Sequence, residues 1–296
     1  MATNDDALRS AVLHVLGGVL SESGLGADAV RHSLELEPLV GGTGRRSYVA
    51  RAGGHAWAVR TRGDDATGVL DLSAEAEVMA EAASIGVAPP VVAVDPGAGL
   101  LVTEYRAGAR SMSAEALRTT ANIERIAGLL RRLHSIRRSL RCFDPEVFAP
   151  QYLSAAGEDR PLTELQRRFA EEFQLLARHY RARYPSIVLC HNDLVASNVL
   201  DDGRLWLIDF EYAVSAAPVL DLAGLAALND YGREQRWLLA EAYYEESAVP
   251  FTPIELDKVV RLVRLVAYFW ALAAARTATD PEPYEQFVQT MAAALD

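Results

Sequence analysis

The sequence predicts an α+β fold, with a mostly antiparallel sheet and one helix in residues 1–105 and mainly helices in residues 106–296. Short apolar runs separated by Gly-containing or Pro-containing turns dominate the first part. Longer runs with helical spacing dominate the second part. At 296 residues, the chain is long enough for one large domain or two tightly packed lobes.

The first part begins with helical spacing and changes to strand-like runs. Apolar residues such as Leu8 and Val12 repeat at helical spacing, so residues 5–36 are predicted to form one or two helices. Runs rich in Val and Ala at 34–40 and 48–60 predict strands, and Gly53-Gly54 divides the second run with a turn.

A helix and two more strands complete the predicted first part. An apolar stripe predicts a helix over residues 72–85, and Gly86 follows as a helix-stop residue. Residues 91–94 and 100–105 are then predicted to be strands joined by a turn.

Helices are predicted through most of the second part. Ser113 is a suitable N-cap for a run of helical spacing that ends at His134, which we interpret as a packed helix-end residue rather than a ligand. Further helices are predicted at 162–184, from about 217, and at 238–244 and 254–277. The last of these is apolar on more than one face, which indicates burial.

The stretch from Leu189 to Ala213 concentrates polar side chains around a predicted hairpin. Asp202-Gly203 between two apolar runs is typical of a two-residue hairpin turn. In that register Asn198 and Asp209 share one face as diagonal neighbours, about 7–8 Å apart at the backbone. Their side-chain oxygens could then share Mg²⁺, which prefers oxygen ligands. Asp193 would lie in the loop that leads into the hairpin.

This stretch carries a resemblance to a known family. The segments HNDLVASNVL and LIDFEYA resemble the aminoglycoside phosphotransferase and choline kinase superfamily of protein-kinase-like enzymes. The resemblance implies a two-lobed fold, ATP and Mg²⁺ as cofactors, and a small-molecule hydroxyl as phosphate acceptor. It implies catalytic roles for Asp193 and His191, with Asn198 and Asp209 as metal ligands.

The same resemblance assigns nucleotide-binding residues in the first part. Gly41 and Gly42 lie in a Gly-rich turn whose backbone N–H groups could approach a phosphate, although a plain hairpin turn is the alternative. Lys258 is the only lysine, so a phosphate clamp in this part must be arginine. Arg60 at the end of a predicted strand takes that place, and Glu75 is expected to pair with it.

Three further residues have roles that only the resemblance supplies. Glu104 and Tyr105 end the last predicted strand of the first part, where free backbone groups of a kinase hinge bind adenine. Asp221 near the start of a helix corresponds to the aspartate that braces the catalytic loop. Without the resemblance, Asp221 would be interpreted as a helix cap.

The expected acceptor site is the least determined part of the sequence analysis. A quaternary ammonium would require aromatic faces with a carboxylate nearby. The second part offers four residues that could supply these groups: Asp230, Tyr231, Tyr268 and Trp270. Glu211, the last residue of the triplet Asp209-Phe210-Glu211, is a further acidic candidate. The alternative is that Tyr268 and Trp270 are ordinary core aromatics.

Composition excludes several classes of protein. The net charge of −11 argues against a nucleic-acid surface and fits a cationic substrate better than an anionic one. Two cysteines without ligand-like spacing indicate neither a disulfide framework nor a zinc site, so a reducing cytoplasm is expected. No signal peptide, membrane span or obligate protein partner is expected.

Three functions remain open. The first is an ATP-dependent kinase of choline, ethanolamine, thiamine or a related hydroxyl compound. Arg60 and the Phe-Asp-Pro at 143–145 resemble the choline and thiamine kinase branch of the superfamily and so favour this function. The second is an aminoglycoside-type antibiotic phosphotransferase. The third is a nucleotide-binding module without catalysis, which the presence of Asp193, Asn198 and Asp209 disfavours.

Overall fold

The chain divides into two units that differ in secondary structure. A computed structural model describes residues 3–22, 33–39, 46–61, 71–138, 140–157, 161–185 and 187–296. The first unit comprises Met1–Arg110 with Leu200–Glu211, and the second comprises Ser111–Val199 with Tyr212–Asp296. Within the described residues, no helix combines the length and the apolar character that a membrane span requires.

The first unit is built on a five-stranded antiparallel sheet. Its strands have the order β1-β2-β3-β5-β4. In chain order the elements are α1 (Thr3–Glu22), β1 (Glu35–Leu39), β2 (Ser47–Ala52), β3 (His55–Thr61), α2 (Leu72–Ser84), β4 (Val91–Asp95) and β5 (Leu100–Glu104). The α+β fold class is therefore confirmed, with each of the predicted strands of residues 34–105 in place.

Apolar residues from helix α1 and the sheet pack together in one cluster. Val12 and Leu16 of α1 are fully buried against Trp57, Val59 and Val102 of the central strands. Burial of a large apolar side chain contributes about 1.5–3 kcal/mol. This cluster fixes the strand that ends near Arg60.

Glycines end two elements in this unit by adopting positive φ. Gly53 and Gly54, with φ of 57° and 83°, form the turn between β2 and β3. Gly86 has φ of 68° and follows α2, as the sequence predicts for a helix stop. A side chain at any of these positions would be strained, because only glycine adopts this conformation without penalty.

A hairpin from later in the chain belongs to the first unit. Strand β8 (Val199–Asp201) is followed by β9 (Leu205–Leu207), and with β6 (Arg110–Ser111) they form a sheet of order β6-β8-β9. Three residues separate β8 from β9, so the prediction of a two-residue turn is wrong. The side chains of Asp201 and Asp202 instead accept from backbone N–H groups within the loop.

The expected division into residues 1–105 and 106–296 differs from the two observed units because the hairpin β8–β9 belongs to the first unit. Leu207 N–H donates to Val87 O at 2.8 Å, and the Arg204 side chain donates to Gly86 O. These contacts hold the hairpin against the end of α2. The chain therefore returns to its first unit after passing through residues Ser111–Val199 of the second.

The second unit is mainly helical. Its helices are α3 (Ala114–Leu117), α4 (Thr120–Leu133), α5 (Pro145–Gly157), α6 (Glu164–Arg183), α7 (Val219–Leu228), α8 (Arg233–Tyr244), α9 (Pro253–Thr277) and α10 (Glu282–Leu295). Strands β7 (Val188–Cys190) and β10 (Val214–Ala216) pair antiparallel, and residues 191–213 lie between them in the chain. They fix the start and the end of the segment that contains Asp193.

Two details of the helical part differ from the sequence prediction. The run predicted from Ser113 to His134 forms two helices, because Thr119 adopts extended backbone and begins α4 as its N-cap. Helix α10 has no counterpart among the predicted helices. It packs through Tyr284 and Phe287 against Trp270 of α9.

Candidate active site

Arg60 lies between two carboxylates of the first unit. It is the penultimate residue of β3 and pairs in the sheet with Leu101 of β5. One terminal nitrogen of its guanidinium donates to Glu75 Oε1 and the other donates to Asp209 Oδ1. The side chain of Arg60 is 15% exposed. The two carboxylates together therefore fix the orientation of the planar guanidinium group of Arg60.

Helix α2 places Glu75 in this cluster. Asp71 caps the helix by accepting from Ser73 N and Ala74 N, so Glu75 lies in the first turn, where a negative charge is favourable. Its side chain is 3% exposed. The expected pair between Arg60 and Glu75 is thus present in the structure.

The two carboxylates keep Arg60 charged. Burial favours loss of its proton and would lower the pKa of Arg60, but the charges of Asp209 and Glu75 outweigh burial and raise that pKa. A guanidinium group that is always charged and partly buried is suited to binding phosphate oxygens. To bind a nucleotide, Arg60 would share its donors between these carboxylates and a phosphate.

Asp209 follows β9 in a conformation unusual for a non-glycine residue. Its φ is 68°, and the next residue, Phe210, is buried at 1% exposure. Strained backbone of this kind persists only where surrounding contacts hold it, and it concentrates at functional sites. Arg60 contacts Oδ1 of Asp209, and Oδ2 is the second oxygen that the carboxylate offers to a cation.

Some expected nucleotide-binding residues lie outside the described part of the chain. Gly41 and Gly42 are among them, and two other arginines of the first part, Arg45 and Arg62, also lie outside it. Arg46 is described directly before β2, and its backbone oxygen accepts from Thr61 N at 3.0 Å. The phosphate-loop assignment stays a prediction.

At the expected hinge, the backbone N–H groups of Glu104 and Tyr105 form hydrogen bonds within the protein. Glu104 N–H donates to Pro90 O at 2.9 Å, and Tyr105 N–H donates to Ala56 O at 3.3 Å. These bonds continue the pairing of β5 with its neighbours. Adenine binding by Glu104 and Tyr105 would therefore use their backbone carbonyl groups, and the assignment of these two residues stays a prediction.

In the second unit, Asp221 holds the loop that precedes Asp193. Its Oδ2 accepts from His191 N and its Oδ1 accepts from Asn192 N, both at 2.8 Å. Asn192 has φ of 63°, so the chain turns sharply directly before Asp193. The fully buried carboxylate of Asp221 thus bridges two successive peptide groups, which is the bracing arrangement the resemblance implies.

A buried histidine and tyrosine support Asp221 from behind. His134 Nε2 lies 3.0 Å from Asp221 Oδ2, and His134 Nδ1 lies 2.7 Å from the hydroxyl of Tyr243. Burial raises the pKa of Tyr243, so its hydroxyl keeps the proton. Burial would also raise the pKa of Asp221, but hydrogen bonding and charge from His134, with help from His191 and Asn192, lower it.

Cys190 completes a buried group with His134 and Asp221 whose potential ligand atoms lie within 4.8 Å of one another. Burial raises the pKa of the Cys190 thiol well above its usual value, and the thiol donates to Ala217 O at 3.6 Å. Both ring nitrogens of His134 already have partners. A soft metal would require a thiolate and a vacant imidazole nitrogen, so these three residues are structural.

Asp193 and Asn198 are joined directly. Asn198 Nδ2 donates to Asp193 Oδ2 at 2.8 Å and to Asp193 O at 3.0 Å. The intervening residues form a short 3₁₀ turn (Ala196–Asn198), which brings the two side chains together across five positions. Because Asn198 directs Nδ2 toward Asp193, its Oδ1 is the atom suited to a cation.

His191 lies in the loop two residues before Asp193. It is fully buried, and its Nδ1 accepts from Asp193 N at 3.3 Å. Its ring can position the Asp193 peptide through this bond, while the catalytic role expected for His191 stays a prediction. The sequence motif could not distinguish these roles, because both require a histidine two residues before the aspartate.

Two of the three expected aromatic acceptor residues are core residues. Tyr231 is 1% exposed and donates its hydroxyl to Leu117 O at 2.6 Å. Tyr268 is 3% exposed and packs edge-on against Phe169 and Phe269. Trp270 is half-buried against helix α10. Burial argues against a cation-binding role for Tyr231 and Tyr268, whereas the assignment of Trp270 stays a prediction.

The two acidic acceptor candidates differ in exposure. The Asp230 side chain is 82% exposed, and its carboxylate lies 3.5 Å from Arg118 and 3.7 Å from Arg264. Glu211 is half-buried at the end of the segment Leu200–Glu211 of the first unit. The two neighbouring arginines partly neutralise Asp230, which weakens it as a partner for a cation.

Comparisons with known proteins identify a family and several similar proteins. A family model described as "Phosphotransferase enzyme family" matches residues 35–255. A choline/ethanolamine kinase family protein from Mesorhizobium loti has a similar structure, with TM-score 0.73 and 28% identity, covering 88% of this chain and 86% of that one. The choline kinase LicA from Streptococcus pneumoniae, 21% identical, shows the same fold with TM-score 0.75, covering 88% and 94% of the two chains.

A curated relative matches over a shorter stretch. Protein LicA of Haemophilus influenzae is 26% identical over 172 residues, which covers 56% of this chain and 49% of that protein. The match thus spans about half the length of this relative. The family model covers most of the chain, including each residue of the two clusters around Arg60 and Asp193. The chain belongs to the phosphotransferase enzyme family.

Proposed function

We propose that this protein is an ATP-dependent phosphotransferase that transfers the γ-phosphate to a hydroxyl group of a small molecule. The proposed acceptor is an amino-alcohol such as choline or ethanolamine, or thiamine. The observation on which this rests is the placement of Asp193, a half-buried carboxylate in a loop held by Asp221 and Asn198. The similarity to a choline/ethanolamine kinase family protein supports the acceptor class.

In the proposed reaction, Asp193 orients the acceptor hydroxyl and receives its proton. The acceptor oxygen forms a bond to the γ-phosphorus, and the bond from that phosphorus to the bridging oxygen breaks, releasing ADP. Asn198 Nδ2 holds Asp193 Oδ2, so one carboxylate oxygen is fixed, and Oδ1 is the oxygen proposed to face the hydroxyl. A positioned base of this kind contributes about 10²–10⁴ in rate.

On the nucleotide side, we propose that Arg60 binds phosphate oxygens and that Glu75 keeps its guanidinium oriented. Asn198 and Asp209 are the proposed Mg²⁺ ligands, and their oxygen donors suit that ion. When bound, Mg²⁺ would neutralise charge on the phosphate oxygens. We assign no role in catalysis or binding to the two core aromatics, Tyr231 and Tyr268.

A screen for phosphorylated product tests this function. Purified protein would be incubated with ATP and Mg²⁺ and one acceptor from choline, ethanolamine, thiamine, amino sugars or aminoglycosides. Release of ADP would be measured together with the added phosphate by mass spectrometry, with Asp193→Asn as the matched control. We expect equal amounts of ADP and phosphorylated amino-alcohol or thiamine.

The other outcomes separate the alternatives. Phosphorylation of an aminoglycoside but of no amino-alcohol would identify an antibiotic phosphotransferase instead. If no acceptor gave product above the Asp193→Asn control while ATP still bound, the protein would be a nucleotide-binding module and the proposed function would be wrong.

A further inference from the structure

Asn229 lies beside the candidate catalytic loop, although no motif identifies it. It is the C-cap residue of helix α7 and is 1% exposed. Its Nδ2 donates to Leu194 O at 2.7 Å and to Leu225 O at 2.8 Å. Leu194 is the residue directly after Asp193. One side chain thus joins the end of α7 to the loop.

The orientation of the Asn229 amide follows from these partners. Both nearby partners are carbonyl oxygens, which only accept, so the NH₂ group must face them. With the opposite orientation, the amide oxygen would face two other oxygens. Within the described part of the chain, Asn229 Oδ1 is buried without a hydrogen-bond partner.

The unpaired Oδ1 of Asn229 shows that packing alone does not explain an asparagine at this buried position. Burial of an acceptor without a partner destabilises a folded protein, and an apolar side chain of similar volume would avoid that cost. The two donors therefore account for the asparagine better than packing does. One donor closes the end of its own helix, and the other reaches the loop.

Asp221 and Asn229 contact the loop on opposite sides of Asp193. Asp221, in the first turn of α7, holds the N–H groups of His191 and Asn192. Asn229, at the other end of the same helix, holds the carbonyl of Leu194. The chain is thereby tied to one rigid element on both sides of Asp193, and these ties restrain the loop that carries it.

We infer that Asn229 is a positioning residue that fixes the carboxylate of Asp193 for transfer by holding the Leu194 carbonyl. The inference rests on the proposed function and adds a residue to it. Loss of the Asn229 donors would let the loop rotate about Asp193. A displacement of a catalytic group by about 1 Å can cost on the order of 10² in rate.

A double-mutant cycle tests the inference. Asn229→Leu removes both donors and keeps a side chain of similar volume. We expect kcat to fall about tenfold or more with little change in the KM for ATP, because the proposed phosphate contacts lie in the first unit. In the Asp193→Asn background, the same substitution should change kcat by less than about twofold, since the group it positions no longer accepts a proton.

The matched control is Asn122→Leu. Asn122 also donates through Nδ2 to a backbone carbonyl, that of Ala116, at 2.8 Å. We expect its kcat to stay within about twofold of wild type. If Asn229→Leu does not fold, Asn229→Ala, which also removes both donors, takes its place in the cycle.

Two results would overturn the inference. One is a kcat within about twofold of wild type for the folded Asn229 variant. The other is an equal fractional loss of kcat in the wild-type and Asp193→Asn backgrounds, which would show that Asn229 does not act through Asp193. Absence of product from the wild-type protein would instead refute the proposed function, so the two failures are distinguishable.

Discussion

Asn198 holds Asp193 by two hydrogen bonds, one to its carboxylate at 2.8 Å and one to its backbone oxygen at 3.0 Å. The carboxylate and the peptide of Asp193 are therefore fixed by the same amide. Asn198 N–H in turn donates to Val195 O, which stabilises the turn between them. This relationship makes the five-residue spacing in the sequence a structural requirement.

Replacement of Arg60 should impair nucleotide binding. In Arg60→Ala the phosphate donors are lost and Glu75 and Asp209 lose their shared cation, so the KM for ATP should rise far more than the KM for the acceptor. The measurement is steady-state kinetics with each substrate varied in turn. Arg167→Ala, which removes an exposed arginine of the second unit, is the control.

Unchanged ATP affinity in Arg60→Ala would contradict this assignment and move the phosphate clamp to Arg45, Arg46 or Arg62. Glu75→Gln provides an independent check. It keeps the side-chain shape but removes the charge that orients Arg60, so it should also raise the KM for ATP.

Replacement of Asp209 should remove turnover that depends on Mg²⁺. Asp209→Ala deletes both carboxylate oxygens, so activity should be lost across a Mg²⁺ titration while the circular dichroism spectrum stays that of wild type. Asp95→Ala, which alters a carboxylate at the end of β4, should retain activity. Ordinary turnover by Asp209→Ala at the Mg²⁺ concentration that saturates wild type would reject the assignment.

Local patterns in the sequence predict much of the fold because they depend on neighbouring residues. The Gly53-Gly54 turn, the helix stop at Gly86 and the strand ending near Arg60 all follow from spacing and backbone preference. Membership of the hairpin β8–β9 in the first unit could not be predicted in this way. It depends on contacts such as that between Leu207 and Val87, which are distant in sequence.

In the candidate site, too, residues that are close in sequence could be predicted and residues that are distant in sequence could not. Asp193 and Asn198 are close in sequence and form one recognisable motif, and family resemblance identifies Asp221. The partners that support them, His134 and Asn229, come from positions far along the chain, and no spacing rule connects them to the loop. Burial of Tyr231 likewise depends on tertiary packing, to which its local sequence gives no clue.

Stability should depend on pH through Asp221. Its pKa is lowered in the folded protein, so the ionised carboxylate stabilises the fold above its unfolded pKa of about 3.9, and this stabilisation is lost as the pH falls through the lower folded value. Asp221→Asn leaves buried N–H groups without their charged acceptor and should cost about 2–3 kcal/mol near neutral pH.

Urea unfolding of wild type and Asp221→Asn from pH 7 downward measures this effect. The difference in unfolding free energy should be constant above about pH 5 and shrink below about pH 4. Asp230→Asn, at an exposed carboxylate, is the control and should show a much smaller difference. A difference for Asp221→Asn that does not change with pH would contradict the role assigned to its ionised form.

The catalytic role of Asp193 is tested most directly by the kcat of Asp193→Asn with the best acceptor from the screen. This substitution keeps the shape of the side chain and removes the base, while the proposed phosphate contacts of the first unit are left intact. We predict a fall in kcat of about 10²-fold or more with nearly unchanged ATP affinity. Turnover within a few-fold of wild type would show that Asp193 is not the base and would contradict the proposed mechanism.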